Sequence, residues 1–166
     1  MEIDAEALEL IRRQSGIHLR ADGIFTYAGE PVPNPRVQAL FHRGVEVRAD
    51  DEVTLTVGAR WCYLTCDGVA RFIEGMRLEG SDAIVRLRTG EELPWEPLVV
   101  GYAPDDRLYG WLPGLRGPAL LTRAAHHALL ERVGADGAIT IGQRRIPVLA
   151  LEDVPGAASG PPPGRA

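Results

Sequence analysis

The stretch GIFTYAGEPVPNPRVQALFHRG, Gly23 to Gly44, decides how the chain reads. It runs strand, turn, short strand, helix cap, helix and stop. Asp22-Gly23 is a tight-turn dipeptide, because Gly takes positive φ without steric cost. It separates IHLR (Ile17 to Arg20) from IFTY (Ile24 to Tyr27), and the pair predicts a hairpin. Pro31 and Pro33 break any ladder, so that piece belongs at a sheet edge or in a loop. Asn34-Pro35 predicts an N-cap and a first helical residue. Asn accepts an orphan backbone N–H, and Pro has none to leave unpaired. Val37, Leu40 and Phe41 recur at i, i+3, i+4 as one apolar face. Gly44 is expected to end the helix in the left-handed conformation.

Downstream, VEVR, an acidic turn at Asp50-Asp51-Glu52 and the alternating VTLTV predict a half-buried strand after a reversal. Upstream, residues 4–14 predict a helix with Asp4 as N-cap, an Ile3–Leu8 staple, a narrow stripe of Leu8 and Ile11, and Gly16 as stop. From Arg60 to Leu112 short strands alternate with turns at Asp67-Gly68, Gly80-Ser81-Asp82, Thr89-Gly90 and Pro104-Asp105-Asp106. That spacing suggests antiparallel pairing rather than crossovers. Pro94 and Pro97 bracket Trp95 and point to an edge or loop. Gly117-Pro118 is expected to open a second helix reaching about Val133. Its apolar face is Leu121, Ala125, Ala128, Leu129 and Val133, and Gly134 ends it. AITI and RIPVLAL are the last strands. The Gly- and Pro-rich end has too little apolar surface to order itself.

Placing Pro35 on Pro118 sets two similar orders side by side: strand, Pro-initiated helix, Gly, acidic turn, strand. VTLTVGAR then falls opposite AITIGQR, with Gly58 and Arg60 opposite Gly142 and Arg144. The expected fold class is α+β, with curved antiparallel sheets and two Pro-initiated helices in two related halves. The expected divisions are an N-terminal helix (1–16), a first α+β unit (17–100), a smaller related unit (101–152) and a disordered tail (153–166).

The 166 residues suffice for one full domain or two small units. A net charge of −5, from 18 basic and 23 acidic residues, gives no general attraction to a phosphate backbone, so no nucleic-acid partner is expected. No apolar run approaches the roughly 20 residues of a membrane span. Two cysteines are too few for a secreted disulfide framework, and the acidic, amphipathic start is unlike a signal peptide. The expectation is a cytoplasmic protein.

Asp22, Gly23, Phe25, Tyr27, Gly29, Pro31 and Val32, followed by Arg36, Val37, Leu40 and Phe41, carry a pattern of their own. The order DG-x-F/W-x-Y-x-G-x-P-[VI], then a Pro-started helix ending in LF, resembles a bacterial family, domain of unknown function 1285. Trp61 with Asp67, and Leu108 through Leu130, are similar to it as well. The chain departs where the family has Ala-Pro after the acidic residue; Asp67 is followed by Gly68-Val69. The resemblance implies two related α+β halves like pleckstrin-homology modules and a signalling or ligand-binding role. It carries no catalytic residues.

The chemistry-bearing residues argue against common activities. Cys62 and Cys66 on one strand would sit roughly 13 Å apart, beyond the ~7 Å reach of a disulfide. His126 and His127 are adjacent on a helix and point about 100° apart, which does not suit one ion. There is no G-x-S-x-G and no phosphate-binding loop with its Lys. No metal, cofactor or catalytic residue is expected. Carboxylate pairs at Asp50-Asp51, Glu91-Glu92 and Asp105-Asp106 fall in turns. The candidate ligand-binding residues are Arg36, Arg60, Trp61, Asp67, Trp95 and Trp111. The reading favours a non-catalytic module that binds a small molecule or a protein in a regulatory setting. Its alternatives are a hydrolase or transferase whose carboxylates meet only in three dimensions, and a structural subunit that self-associates as a homo-oligomer. The metal expectation has a direct check: the purified protein should carry less than about 0.2 zinc per chain, and EDTA should leave its melting temperature unchanged.

Overall fold

The computed structural model describes residues 4–79, 81–95, 100–112 and 114–154. The Ile3 staple, the turn at Gly80, Pro97 and the tail from residue 155 lie outside the described residues. Among the described residues three α-helices mix with several open sheets, none closed into a barrel. It divides between Ala70 and Arg71 into two units.

Unit 1 runs α1 (Ala5–Arg13), β1 (Ile17–Leu19), β2 (Phe25–Tyr27), β3 (Glu30–Pro31), α2 (Pro35–Gly44), β4 (Val45–Val47), β5 (Val53–Val57), β6 (Arg60–Tyr63) and β7 (Thr65–Cys66). The β1–β2 hairpin pairs Ile17 with Tyr27 and Leu19 with Phe25. Ala28 and Gly29, with φ of 50° and 88°, join β2 to β3. Two positive φ values make the mirror-image turn whose twist suits a hairpin. The prolines hold β3 at the sheet edge, in the order β3-β2-β1-β7, and β7 runs parallel to β1. A second sheet, β4-β5-β6, is antiparallel.

The Asn34 carboxamide caps α2 by accepting the Arg36 N–H at 2.9 Å, as its sequence predicts. Of the expected face, Phe41 packs edge to face on Phe25 at 5.3 Å and Val37 is half-buried, but Leu40 turns outward. Leu40 is 39% exposed, whereas His42 is buried with Nε2 2.9 Å from the Gly23 carbonyl oxygen. The Gln38 side chain accepts the Phe25 N–H at 2.9 Å and donates to the carbonyls of Phe25 at 2.9 Å and Val32 at 3.0 Å. A helix lying beside such short strands must meet their open backbone groups as well as their apolar side chains. Gly44 does not take the left-handed conformation. A Cβ there would fall on the Thr56 carbonyl oxygen, so glycine lets the end of α2 approach β5.

Unit 2 runs β8 (Arg71–Glu79), β9 (Asp82–Leu87), β10 (Glu92–Pro94), β11 (Val100–Tyr102), β12 (Leu108–Trp111), β13 (Pro118–Leu121), α3 (Arg123–Leu130), β14 (Ile139–Ile141), β15 (Arg144–Ile146) and β16 (Val148–Ala150). The large sheet has the order β10-β9-β8-β13-β12-β11-β16, and β14 and β15 form a separate hairpin. Its core includes Ile73, Val85, Trp95, Val100, Leu121 and Leu129.

Two expectations change here. Pro118 does not start a helix; it is the first residue of β13, opposite Trp111. Ala119, Leu120 and Leu121 are buried between β12 and β8, and an unbroken apolar triplet suits a central strand. The helix begins later, at Arg123 after the N-cap Thr122, and ends before Val133 and Gly134. The sheets are mixed rather than antiparallel, with parallel pairs β1–β7, β8–β13 and β11–β16. Strands β8, β9 and β10 join the large sheet through β8, which runs parallel to β13. Leu151–Asp153 form a 3-10 turn, and Val154 is 5% exposed.

Replacing Gln38 with Ala removes the partner of the Phe25 N–H and of the Val32 carbonyl, while the Phe25 carbonyl keeps the Val32 N–H at 2.9 Å, and should lower unfolding free energy by about 2 kcal/mol in a urea titration. Leu40→Ala, on the half-open face, should cost less than about 1 kcal/mol.

Candidate functional site

A cleft of about 510 Å³ opens in unit 1. One wall comes from the parallel β1–β7 pair, which sets His18 opposite Thr65. Thr65 and Asp67 are two residues apart and share one side of the chain. The His18 ring spans both: Nδ1 lies 2.7 Å from Thr65 Oγ1, and Nε2 lies 3.0 Å from Asp67 Oδ2. A carboxylate only accepts, so Nε2 carries a proton toward Asp67. In the neutral ring Nδ1 is then the acceptor for the Thr65 hydroxyl.

The facing wall is ionic and aromatic. Arg13, at the end of α1, meets both carboxylate oxygens of Glu52 at 2.7 and 3.1 Å and Glu9 at 3.2 Å. The Glu52 hydrogen bond holds the Arg13 guanidinium above its usual pKa range. Arg13 also stacks 4.1 Å over Tyr63, and Arg12 stacks 4.0 Å over Trp61. The two rings meet edge to face at 5.3 Å. Arg48 stands 5.7 Å from each ring and 3.6 Å from Asp50. Desolvation, then the Glu9 hydrogen bond, pushes the Tyr63 phenol up. Ser15 fixes the passage from α1 to β1: its Oγ donates to the Tyr63 carbonyl at 2.6 Å and accepts the Ile17 N–H at 3.2 Å.

Of the residues singled out by sequence, Trp61 and Asp67 adjoin this cleft through Tyr63 and His18. Arg60 is exposed at the start of β6, and Arg36 is exposed in the first turn of α2. Trp95 and Trp111 belong to unit 2. Trp95 is fully buried against Gly110, and its Nε1 has no hydrogen-bond partner among the described residues. Trp111 is half-buried and lies over Gly101. Arg13, His18, Glu52 and Thr65 were missed as site residues. Only the β1–β7 pairing joins His18 to Thr65, and no local signal announces it.

Cys62 and Cys66 are free and lie on strands of different sheets. Among the described residues no cluster of three or more His, Cys, Asp or Glu is placed to hold a metal. No helix among them is long and apolar enough to cross a membrane.

No family model and no curated protein matches the chain. Solved structures do. A DUF1285 family protein from Silicibacter pomeroyi is 16% identical with a TM-score of 0.64, covering 83% of this chain and 81% of that one. A second, from Shewanella baltica, is 20% identical with a TM-score of 0.52, covering 71% of this chain and 92% of that one. The resemblance carried by the Gly23–Gly44 stretch therefore extends to the fold.

Cys66 lines the cleft, with its thiol 3.5 Å from the Val69 carbonyl oxygen. Burial pushes its pKa up to about 11, from 9.0. At pH 8 iodoacetamide should alkylate Cys66 roughly a hundredfold more slowly than in the urea-unfolded chain, by peptide mass mapping. A raised folded pKa means the folded state holds the proton longer. This contribution to stability is intact below about pH 9 and is lost as pH rises through about 11.

Proposed function

We propose that the chain is a non-catalytic binding module in a regulatory or signalling setting, and that the unit 1 cleft receives a small polar ligand. The observation that carries this reading is the convergence of His18, Thr65, Arg13 and Glu52 on one opening of about 510 Å³. Oriented polar groups beside aromatic faces are what a small-molecule site requires. Trp61 and Asp67 are retained from the sequence set. The cytoplasmic setting is retained from composition.

The strand pairings support two related halves, on a different registration from Pro35 over Pro118. β1, β2 and β3 pair antiparallel in series, α2 follows, β5 and β6 make a hairpin, and β7 returns parallel to β1. β11, β12 and β13, α3, β14 and β15, and β16 follow the same order and sense. Asn34 and Thr122 then correspond as helix caps. Repeated modules of the pleckstrin-homology kind fit this reading, which rests on analogy of architecture.

One observation favours the second reading, a hydrolase or transferase. Thr65, His18 and Asp67 form a hydroxyl–imidazole–carboxylate series, the arrangement that activates a nucleophile.

A thermal-shift screen of polar metabolites should raise the melting temperature by several degrees at saturation. The shift should vanish in His18→Ala and Thr65→Val. Hits that persist in both variants would place binding elsewhere. Steady release of nitrophenol from an activated ester, abolished in Thr65→Val, would favour the enzyme.

A further inference from the structure

Helix α1 is attached in an unusual way. None of its residues is buried, and Leu10 and Ile11 are 56% and 59% exposed. An amphipathic helix normally docks by its apolar stripe. This one packs on β6 through its basic last turn. Arg12 and Arg13 stand over Trp61 and Tyr63 at 4.0 and 4.1 Å, and the Arg13 fork closes on both oxygens of Glu52.

We infer that Trp61, Tyr63 and Glu52 form a guanidinium-binding site, that Arg12 and Arg13 occupy it in the resting chain, and that its external ligand is an arginine-bearing segment of a protein partner. The inference rests on the cleft reading, because Glu52, Tyr63 and Arg13 line that cleft. Two ring faces beside one carboxylate suit a planar cation that stacks and forks at once. Guanidinium does both; an ammonium is a compact point charge and forms no fork. Arg48, 5.7 Å from both rings, has its own carboxylate in Asp50 and does not fill the stacking faces.

The occupant is displaceable. The Arg13 ion pair is exposed, so solvent and salt compete for both partners. Gly16, with φ of 70°, follows Ser15 at the junction with β1. A segment presenting two arginines in the spacing of Arg12-Arg13 replaces like with like, so release and binding share one set of contacts. Helix α1 then acts as an internal competitor that sets the threshold for the partner.

The test uses the full-length chain carrying Arg12→Gln and Arg13→Gln, with capped tetrapeptides IRRQ and IKKQ as probes in isothermal calorimetry. The double variant should bind IRRQ at least tenfold more tightly than the wild type, and should bind IKKQ at least tenfold more weakly than IRRQ. Adding Glu52→Gln should remove IRRQ binding. Equal affinity of wild type and double variant, absent binding to the double variant, or binding that survives Glu52→Gln would overturn the inference. If the double variant does not fold, hydrogen exchange of the wild type decides. Amides of Ala5–Arg13 should exchange faster with IRRQ than with equal IKKQ, and identical exchange rules the site out. A metabolite held through His18 and Thr65, with no peptide effect, would sink the guanidinium site while leaving the cleft reading intact.

Discussion

The side-chain amide of Gln38 meets a constraint on which unit 1 depends: strands of two to five residues cannot satisfy their own backbone. By serving the Phe25 N–H and the carbonyls of Phe25 and Val32, Gln38 acts as one more strand position supplied by a helix. The rest follows from that docking. With α2 held against β2, Phe41 reaches Phe25 edge-on at 5.3 Å, and His42 reaches the Gly23 carbonyl. The end of α2 arrives so close to β5 that glycine is required at position 44. The cleft lies beyond β1, the strand paired with β2, so the position of His18 descends from the same contacts.

Legibility followed the range of the forces involved. The β1–β2 hairpin, the Asn34 cap and the edge position of Pro31 are each fixed by residues within a few positions, and local chemistry declared them. Pro118 misled because proline suits the first turn of a helix and the first residue of a strand equally. The burial of Ala119 to Leu121 chose between the two, and burial is a tertiary property. The parallel pairs were invisible for the same reason, since alternation and turn residues say nothing about partners far along the chain. The site inherited that blindness. Trp61 and Asp67 drew notice by residue type, whereas His18 and Thr65 acquire meaning only when β1 and β7 lie side by side.

All 18 basic residues are arginine, and the chain has no lysine. The structure uses that chemistry in both units. Arg88 lies 4.5 Å over Phe72 while its Nε donates to Glu74 at 2.8 Å, so one side chain stacks and bridges together. Glu74 sits at the irregularity where β8 slips register between Ile73 and Gly75. In unit 1, Arg12 and Arg13 apply the same stacking to Trp61 and Tyr63. Planar cations thus extend apolar packing to surfaces where aliphatic side chains would be exposed.

The parallel contact between β8 and β13 has a consequence for how unit 2 assembles. Strands β8 to β10 form one meander, and β11 to β13 form another. Each is joined by short connections and closes quickly. Joining β8 to β13 comes after both, because it is far longer in range than any pairing inside either meander, a range shared with the β11–β16 pair. Until then Phe72 and Ile73 on one side, and Ala119 to Leu121 on the other, are uncovered apolar strand edges. Such edges pair with whatever strand arrives first. Recovery of the folded protein is therefore a race between closure within one chain and capture by a neighbour, decided by crowding among nascent chains rather than by the stability of the finished sheet.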